Sequence, residues 1–345
     1  ELRYKNVYRE GSTTPTGCEP DVICLPTMID KMRPYYKEAQ ERVAKKNANA
    51  QGKKYGVGTA ILLYGSGLEA WAEITSNGVT VGNSWEDHGQ GADMGTLTIA
   101  YETLRPLGIR PENIKLVMND MNFTPNSGPA GGSRSNVLTG NATRVACENL
   151  LNALKKEDGT YRTYEEMVAE KLPTKYDGKW TAPCTASDVR NGQGNPFPCY
   201  MYGFLIVEVE VDLATGKVIV EKLNIISDVG TIINKLVVDG QIYGGLTQGI
   251  GLALSEEFED IKKHTTLTKV GIPKIKDVPD DIELHYLETK RPLGPYGASG
   301  AGEMPLSAPH AAIINAIYNA CEIRITKLPA LPEKVKAGLE ELGIK

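Results

Sequence analysis

Three glycine-rich loops each lead into a predicted helix, and they contain the residues whose types and spacing could do chemistry. The loops span residues 88–93, 127–134 and 297–303. A helix N-terminus offers unpaired N–H groups and a positive dipole end, and glycine lets the backbone approach a phosphate closely. One such loop is a common turn before a helix. Three in one chain indicate an extended ligand with several negative charges.

The polar residues of these loops each allow two interpretations. Asp93 and Ser133 stand at predicted helix starts, where the sequence alone favours a capping role. Arg134 follows a glycine pair and could clamp a phosphate with two hydrogen bonds, or form an exposed ion pair. The loops therefore predict a binding site without assigning every side chain in it.

Glu303 is the strongest candidate for a catalytic residue. It follows Gly302 and precedes the apolar start of a predicted helix. It therefore lies between a loop that a ligand can approach and a segment expected to be buried. We expect this carboxylate to be partly shielded from water, a setting that suits general-base catalysis. The alternative is an acidic residue in a first helical turn, placed favourably for the helix dipole.

Hydrophobic periodicity predicts an α+β fold built from two similar halves, each with strand pairs and helices. Predicted strands lie at 57–64, 70–74, 79–81, 114–118, 202–211, 217–226 and 282–287. Predicted helices span 26–46, 93–107, 133–155, 239–257, 305–321 and 332–342. We assign residues 1–55 to a connector from a missing upstream part, 56–175 to the first half of one ligand-binding domain and 176–345 to its second half.

Two glycine patterns have structural explanations. Residues 65–70 imitate a dinucleotide-binding fingerprint, but that fingerprint must open a helix, whereas the next residues alternate and reach the hairpin signal Asn77-Gly78. We therefore predict no nicotinamide site there. The predicted helix over 239–257 has Gly244, Gly245, Gly249 and Gly251 inside it. Each costs up to about 1 kcal/mol against alanine, so close packing or ligand approach must offset them.

The composition excludes several classes of function. With 41% hydrophobic residues, 23% charged residues and a net charge of -5, the chain can bury a large core and lacks the basic excess of a nucleic-acid binder. No apolar run reaches the roughly 20 residues of a membrane span, and no signal peptide pattern begins the chain. We expect a cytoplasmic protein with no nucleic-acid or membrane partner. Its six cysteines lack metal-site spacing and are expected to be reduced thiols.

Taken in order, four segments resemble the molybdopterin-binding segments of the xanthine oxidase family. They are residues 89–93, 131–134, 239–241 and 297–303. The likeness is greatest to the bacterial aldehyde oxidoreductases, with further matches at 85–88, 244–254 and 328–335, and it covers nearly the whole chain. The resemblance implies the molybdenum cofactor-binding fold of the xanthine oxidase and aldehyde oxidoreductase type.

The resemblance also implies the cofactor. In the bacterial aldehyde oxidoreductases it is molybdopterin cytosine dinucleotide, whose dithiolene holds molybdenum without any protein ligand to the metal. By resemblance, the pterin and its phosphates would contact His88, Gly89, Gln90, Gly91, Ala92, Asp93, Ala130, Gly131, Gly132, Ser133, Arg134 and Ser135. Gln241 would lie at the pterin near the metal, and Asn234, Lys235 and Leu236 would bind the nucleotide. Gly131 and Gly132 would lie near molybdenum.

Glu303 matches the family's catalytic carboxylate, which removes a proton from metal-bound water or hydroxide. The implied reaction converts an aldehyde to a carboxylic acid with water as oxygen source. Iron–sulfur clusters and the first molybdenum-binding half are expected on a missing upstream part or on partner subunits, because no cysteine pattern here could hold a cluster. The resemblance implies a homodimer of the whole enzyme.

Two other functions stay open at this point. One is the hydroxylation of heteroaromatic rings, of the xanthine or nicotinate type, with the same loops. The other is a non-catalytic cofactor-binding or subunit-interface module. Because half of the expected pocket lies outside this sequence, we expect the isolated chain to be inactive.

Overall fold

The computed structural model describes residues 2–64, 70–75, 78–118, 120, 122–128 and 130–344, and it confirms the predicted α+β class. The strands are β1 Lys53–Tyr64, β2 Ala70–Thr75, β3 Gly78–Asn83, β4 Ile114–Met118, β5 Lys175–Gly178, β6 Met201–Asp212, β7 Val218–Asp228 and β8 Asp281–Leu287. The helices are α1 Leu2–Asn6, α2 Leu25–Asn49, α3 Ala92–Leu104, α4 Ser135–Leu154, α5 Tyr164–Ala169, α6 Lys235–Leu254, α7 Leu267–Val270, α8 Pro309–Cys321 and α9 Pro332–Glu341. Over these ranges, every helix is too short or too polar to cross a membrane.

The strands form two four-stranded sheets with the same internal pattern. The first sheet has the order β4-β3-β2-β5 and the second β1-β6-β7-β8. Each contains one antiparallel hairpin, β2–β3 or β6–β7, whose second strand pairs in parallel with a further strand. The parallel strand is reached through a helix, α3 in the first sheet and α6 in the second. The structure thus repeats one unit twice, as the strand and helix order predicts.

The edge strands do not respect the predicted halves. Strand β1, which the sequence places mostly in the first half, pairs with β6 over its full length, from Lys53 opposite Asp212 to Tyr64 opposite Met201. Helix α2 of the predicted connector packs on the same sheet. The second sheet therefore includes a strand, β1, that precedes all strands of the first sheet in sequence. Local sequence patterns do not encode such a long-range pairing. The domain bounds themselves stay a prediction.

The second sheet is covered on both faces, which explains the almost continuous burial of β6. Tyr202, Phe204 and Ile206 face α2, whereas Leu205 and Val207 face the core under α6 and α8. This alternation follows from the two-residue period of a strand. A separate core of the first sheet lies between its strands and α3, α4 and α5.

Glycines in β1 set the distance between that strand and α8. A side chain at Gly58 would place its Cβ 1.9 Å from the Ala312 carbonyl oxygen, and one at Gly56 would lie 2.0 Å from the Ala316 oxygen. Since real Cβ atoms essentially never come closer than 3.0 Å, only glycine permits this packing. The sheet and helix are in backbone contact.

The glycines of α6 divide into packed and open positions. Gly245 and Gly249 lie against Pro305 and Pro309, so the predicted close packing is confirmed for them. Gly251 packs in the same way against Glu256. At Gly244, by contrast, an added Cβ would meet no atom within 4 Å among the described residues.

Part of the fingerprint-like segment, residues 65–69, lies outside the described residues. The chain continues from it as strand β2 and not as a helix, in agreement with the prediction against a dinucleotide fold. Thr75 of β2 pairs with Gly78 of β3, which confirms the predicted hairpin.

Candidate active site

The three glycine-rich loops converge on one cavity of about 390 Å³, at the junction of the two repeated units. The starts of α3, α4 and α6 reach it, together with the short helical turn at 304–307 that precedes α8. The volume falls within the range of small-molecule sites. The three loops therefore share one cavity.

Most of the predicted site residues line this cavity. Those that do are His88, Gln90, Gly91, Ala92, Ala130, Gly131, Ser133, Arg134, Ser135, Asn234, Gln241 and Glu303. Gly89, Asp93, Gly132, Lys235 and Leu236 do not belong to its lining. Three loops and one helix face thus contribute to a single site.

Lys235 and Leu236 point away from the cavity. The Lys235 ammonium group lies 2.6 Å from the Asp239 carboxylate one helical turn further on, and Leu236 is 83% exposed. Because α6 begins at Lys235, the next residues, Val237 and Val238, turn towards the cavity instead.

Sequence reasoning missed several lining residues. They are Trp85, Gly95, Asn136, Ile233, Val237, Val238, Gln248, Gly300, Ala301, Gly302 and Leu306. Gly300, Ala301 and Gly302 belong to a quoted motif and could have been assigned from it. The apolar residues gave no signal beyond helical periodicity, which is equally typical of a core position.

Three backbone amides at the start of α3 bond to a carboxylate of the same segment. The Asp87 carboxylate accepts hydrogen bonds from the backbone N–H groups of Gly89, Gly91 and Asp93, at 2.7, 3.3 and 3.1 Å. The protein's own carboxylate therefore occupies these amides, and the expected contact of this loop with the pterin and its phosphates stays a prediction. Asp93 does not cap the helix start; its carboxylate accepts from the next amide, that of Met94.

Asp87 and Asp93 form a carboxyl pair with opposite pKa shifts. Burial opposes ionisation of Asp87, but hydrogen bonds from the Asp93 side chain and from the three amides outweigh it and lower the pKa of Asp87 to about 2. The hydrogen bond to Asp87, together with burial, raises the pKa of Asp93. The negative charge of the pair is concentrated on Asp87.

The start of α4 differs from that of α3. Within the described part of the chain, no side-chain hydrogen bond caps it at Arg134, and Ser135 and Asn136 of its first turn line the cavity. The first N–H groups of a helix have no partner within the helix, so this turn offers donors to an anion. Of the three loops, the second has the properties that the sequence predicts for phosphate binding.

Polar contacts fix the first two loops to each other. Glu86 accepts a hydrogen bond from the Ala130 amide at 2.8 Å, and this bond together with one from its own amide lowers the pKa of Glu86. The Arg134 guanidinium stacks over Trp85 with 5.6 Å between its central carbon and the ring centre, and its Nε donates to the Gly131 carbonyl. These two contacts hold Arg134 at the cavity wall.

Glu303 lies half-buried at the cavity, against Ser133 of the second loop. The Ser133 hydroxyl donates to Oε2 of Glu303 at 2.9 Å and accepts from the Glu303 amide at 2.8 Å. The two loops approach so closely that a Cβ on Gly300 would lie 1.8 Å from the Ser133 carbonyl oxygen. The second and third loops form one unit.

A buried ion pair anchors the other end of the third loop. Arg291 and Asp228 are both fully buried, with Nη1 of Arg291 3.0 Å from Oδ1 of Asp228. Arg291 also donates to the carbonyl oxygen of Tyr200. Beyond it, the Ser299 amide donates to the Val229 carbonyl at 2.9 Å. A buried charge pair with several hydrogen bonds resists movement, because breaking it leaves an uncompensated charge.

Comparison with known proteins identifies the family. Residues 31–279 match the model of the molybdopterin cofactor-binding domain, which is more than half of the chain. The chain belongs to this family. The predicted relation to the xanthine oxidase family and its aldehyde oxidoreductases is thereby confirmed.

Individual relatives agree with this assignment. The chain is 56% identical to an aldehyde oxidoreductase of Megalodesulfovibrio gigas over 99% of its own length and 38% of the relative. It is 60% identical to the crystal structure of the aldehyde oxidoreductase from Desulfovibrio desulfuricans, with a TM-score of 0.95 over 98% of this chain and 38% of that one. A more distant relative, 31% identical over 86% of this chain and 41% of the relative, is the gamma subunit of a 6-hydroxypseudooxynicotine dehydrogenase complex of Paenarthrobacter nicotinovorans. The chain spans about two fifths of the length of these proteins.

Proposed function

We propose that this chain forms part of a molybdenum hydroxylase that oxidises an aldehyde to a carboxylic acid, with water as oxygen source and Glu303 as general base. The observation that carries the proposal is the position of Glu303. Its carboxylate lies at a cavity lined by all three glycine-rich loops, and its orientation is fixed by a residue from another loop.

The residues of the cavity fit a molybdopterin with a phosphorylated tail. The uncapped first turn of α4 offers N–H donors for phosphate, and an added Cβ at Gly131 would meet no atom within 4 Å of it among the described residues, which leaves room for a ligand. We propose that 130–135 hold the pterin and its phosphate, with Gln241 beside the pterin. Asn234, which lines the cavity, would meet the nucleotide, whose base is proposed to be cytosine.

The side chains of the first loop have a different proposed role. The Asp87 carboxylate occupies the backbone amides of Gly89 and Gly91. We therefore propose that His88 and Gln90 contact the cofactor with the atoms that line the cavity, and that the amides of Gly89 and Gly91 do not bind a phosphate. Asp87 would thus act by shaping the loop.

When bound, the cofactor supplies oxygen-atom transfer and accepts two electrons from the substrate. Overall, R–CHO and water give R–COOH, two electrons and two protons. Glu303 is proposed to accept one of these protons at Oε1, since Oε2 is engaged by Ser133. Val238 and Leu306 line the same cavity and exclude water from part of it, which strengthens the electrostatic effect of the carboxylate.

The substitution Glu303→Gln tests the proposal in the full-length enzyme. It keeps size and hydrogen bonding but removes the base, so kcat should fall by at least about 10²-fold while molybdenum content stays unchanged. Glu340→Gln makes the same chemical change at an exposed residue of α9 and is the matched control. It should leave turnover unchanged. Full activity of Glu303→Gln with bound molybdenum would refute the assigned role.

Substrate and cofactor need separate measurements. The full-length enzyme should oxidise aldehydes with an electron acceptor and should not turn over purines or nicotinate, which would instead support the heteroaromatic alternative. Acid release of CMP from the cofactor would establish the cytosine form, and release of no nucleotide would exclude it. The isolated chain should show no turnover, and activity with an artificial acceptor would contradict that expectation.

A further inference from the structure

We infer that Ser133 is a positioning residue for the proposed base, and not only part of the cofactor-binding loop. This inference rests on the proposed role of Glu303. Its basis is a pair of hydrogen bonds through one hydroxyl group. Oγ donates to Oε2 of Glu303 and accepts from the Glu303 backbone N–H.

This arrangement fixes the carboxylate relative to its own backbone. A single bond to Oε2 would leave the side chain able to swing with its partner, but the second bond ties the same hydroxyl to the Glu303 amide. Ser133 thereby closes a small ring over the Glu303 side chain and restricts its torsions. Among the described residues, no hydrogen-bonding partner is found for Oε1 of Glu303. Oε1 is therefore the oxygen left to accept a proton, since Oε2 accepts from Ser133.

The backbone of Ser133 holds an unfavourable conformation to make these contacts. Its φ is +50°, and only three other non-glycine residues among those described have a positive φ. It follows Gly132, whose φ is +67°. A side chain in this region is strained and persists only where its surroundings enforce it. Here the enforcing contact is the Ser133 carbonyl packed against Gly300. Strain at a candidate active site is consistent with a functional demand on this hydroxyl.

The two hydrogen bonds separate a positioning role from a purely structural one. Loss of the hydroxyl should loosen the Glu303 carboxylate and slow turnover while the fold and the bound molybdenum are retained. A hydroxyl that served only the fold, or only the cofactor, would not have this effect.

The test compares Ser133→Gly and Ser133→Ala in the full-length enzyme. Both remove the hydroxyl, and glycine also relieves the backbone strain, so a shared defect reports the hydroxyl. We expect kcat to fall about 10-fold with KM changed less than about twofold, since a misaligned carboxylate slows the reaction without weakening substrate binding. Ser307→Ala removes a hydroxyl that, among the described residues, bonds to the nearby Met304 carbonyl alone, and it should change neither kcat nor KM.

A second measurement does not depend on activity. In the cofactor-free protein, Ser133→Gly, Glu303→Ala and the double variant form a thermal-unfolding cycle, and coupling should make the double variant unfold within about 1 °C of the less stable single variant. Additive shifts in unfolding temperature, or a kcat of the Ser133 variants within about twofold of wild type, would overturn the inference. If Glu303→Gln were active, the proposed base would fail as well. An inactive Glu303→Gln beside normal Ser133 variants would refute the role of Ser133 alone.

Discussion

Replacing Gly300 with alanine should disable the site while leaving the protein folded. The new Cβ would lie 1.8 Å from the Ser133 carbonyl oxygen and 2.8 Å from the carbonyl carbon, both backbone atoms that cannot rotate away. To reach the 3.0 Å that real Cβ atoms observe, the two loops must separate by about 1.2 Å. That displacement acts directly on the Ser133–Glu303 contact.

The expected size of the effect follows from this displacement. A hydrogen bond of 2.9 Å that lengthens by about 1 Å is broken, and a misplacement of that size at reacting groups costs about 10²-fold in rate. We therefore expect kcat/KM of Gly300→Ala to fall by about 10²-fold in steady-state aldehyde oxidation. Metal analysis and thermal unfolding should show that molybdenum and the fold are retained.

Gly302 provides the matched comparison in the same loop. An added Cβ there would lie 3.5 Å from the Ser133 Oγ, an ordinary contact that requires no movement. Gly302→Ala should therefore lose less than about 10-fold, although Gly302 lines the cavity. Equal losses in the two variants, or a Gly300→Ala enzyme within threefold of wild type, would refute the argument from loop separation.

Two further predictions concern stability. Gly58→Ala would press on the Ala312 carbonyl of α8 and should lower the free energy of unfolding by about 1–3 kcal/mol in urea titrations. Gly240→Ala on α6, where an added Cβ meets no described atom within 4 Å, should be neutral or stabilising. Equal effects of the two substitutions would contradict the packing argument. The lowered pKa of Asp87 means that its stabilisation is complete above its unfolded pKa of about 4 and is lost as pH falls towards 2. Asp87→Asn should flatten acid unfolding over this window, and an unchanged acid transition would show that Asp87 does not contribute.

The helices and strands were predictable because their hydrophobic periodicity is clear. Their end residues were harder to predict. Helix α6 begins at Lys235 and not at 239, because the Asn234 side chain accepts a hydrogen bond from the Val237 amide and caps it. Helix α8 begins at Pro309 because 304–307 form a separate 3-10 turn. Local hydrogen bonding decided these boundaries, and periodicity does not report it.

The chemistry of the site was predictable in part. The glycine motifs and Glu303 stood out because backbone approach and a lone carboxylate leave a pattern in the sequence. The blockage of the α3 start by Asp87 did not, since an aspartate before a glycine-rich helix start could equally face solvent. The partnership of Ser133 with Glu303 joins residues 170 positions apart, and only the packing of two loops reveals it.

The repetition of the sheet-and-helix unit has a consequence for how the site comes into being. Ser133 precedes the second long helix of one unit, and Glu303 precedes that of the other, so neither unit alone contains a complete cavity. The pocket is therefore complete only where both units are folded and in contact. An intermediate with one unit folded would lack either Ser133 or Glu303 at the site.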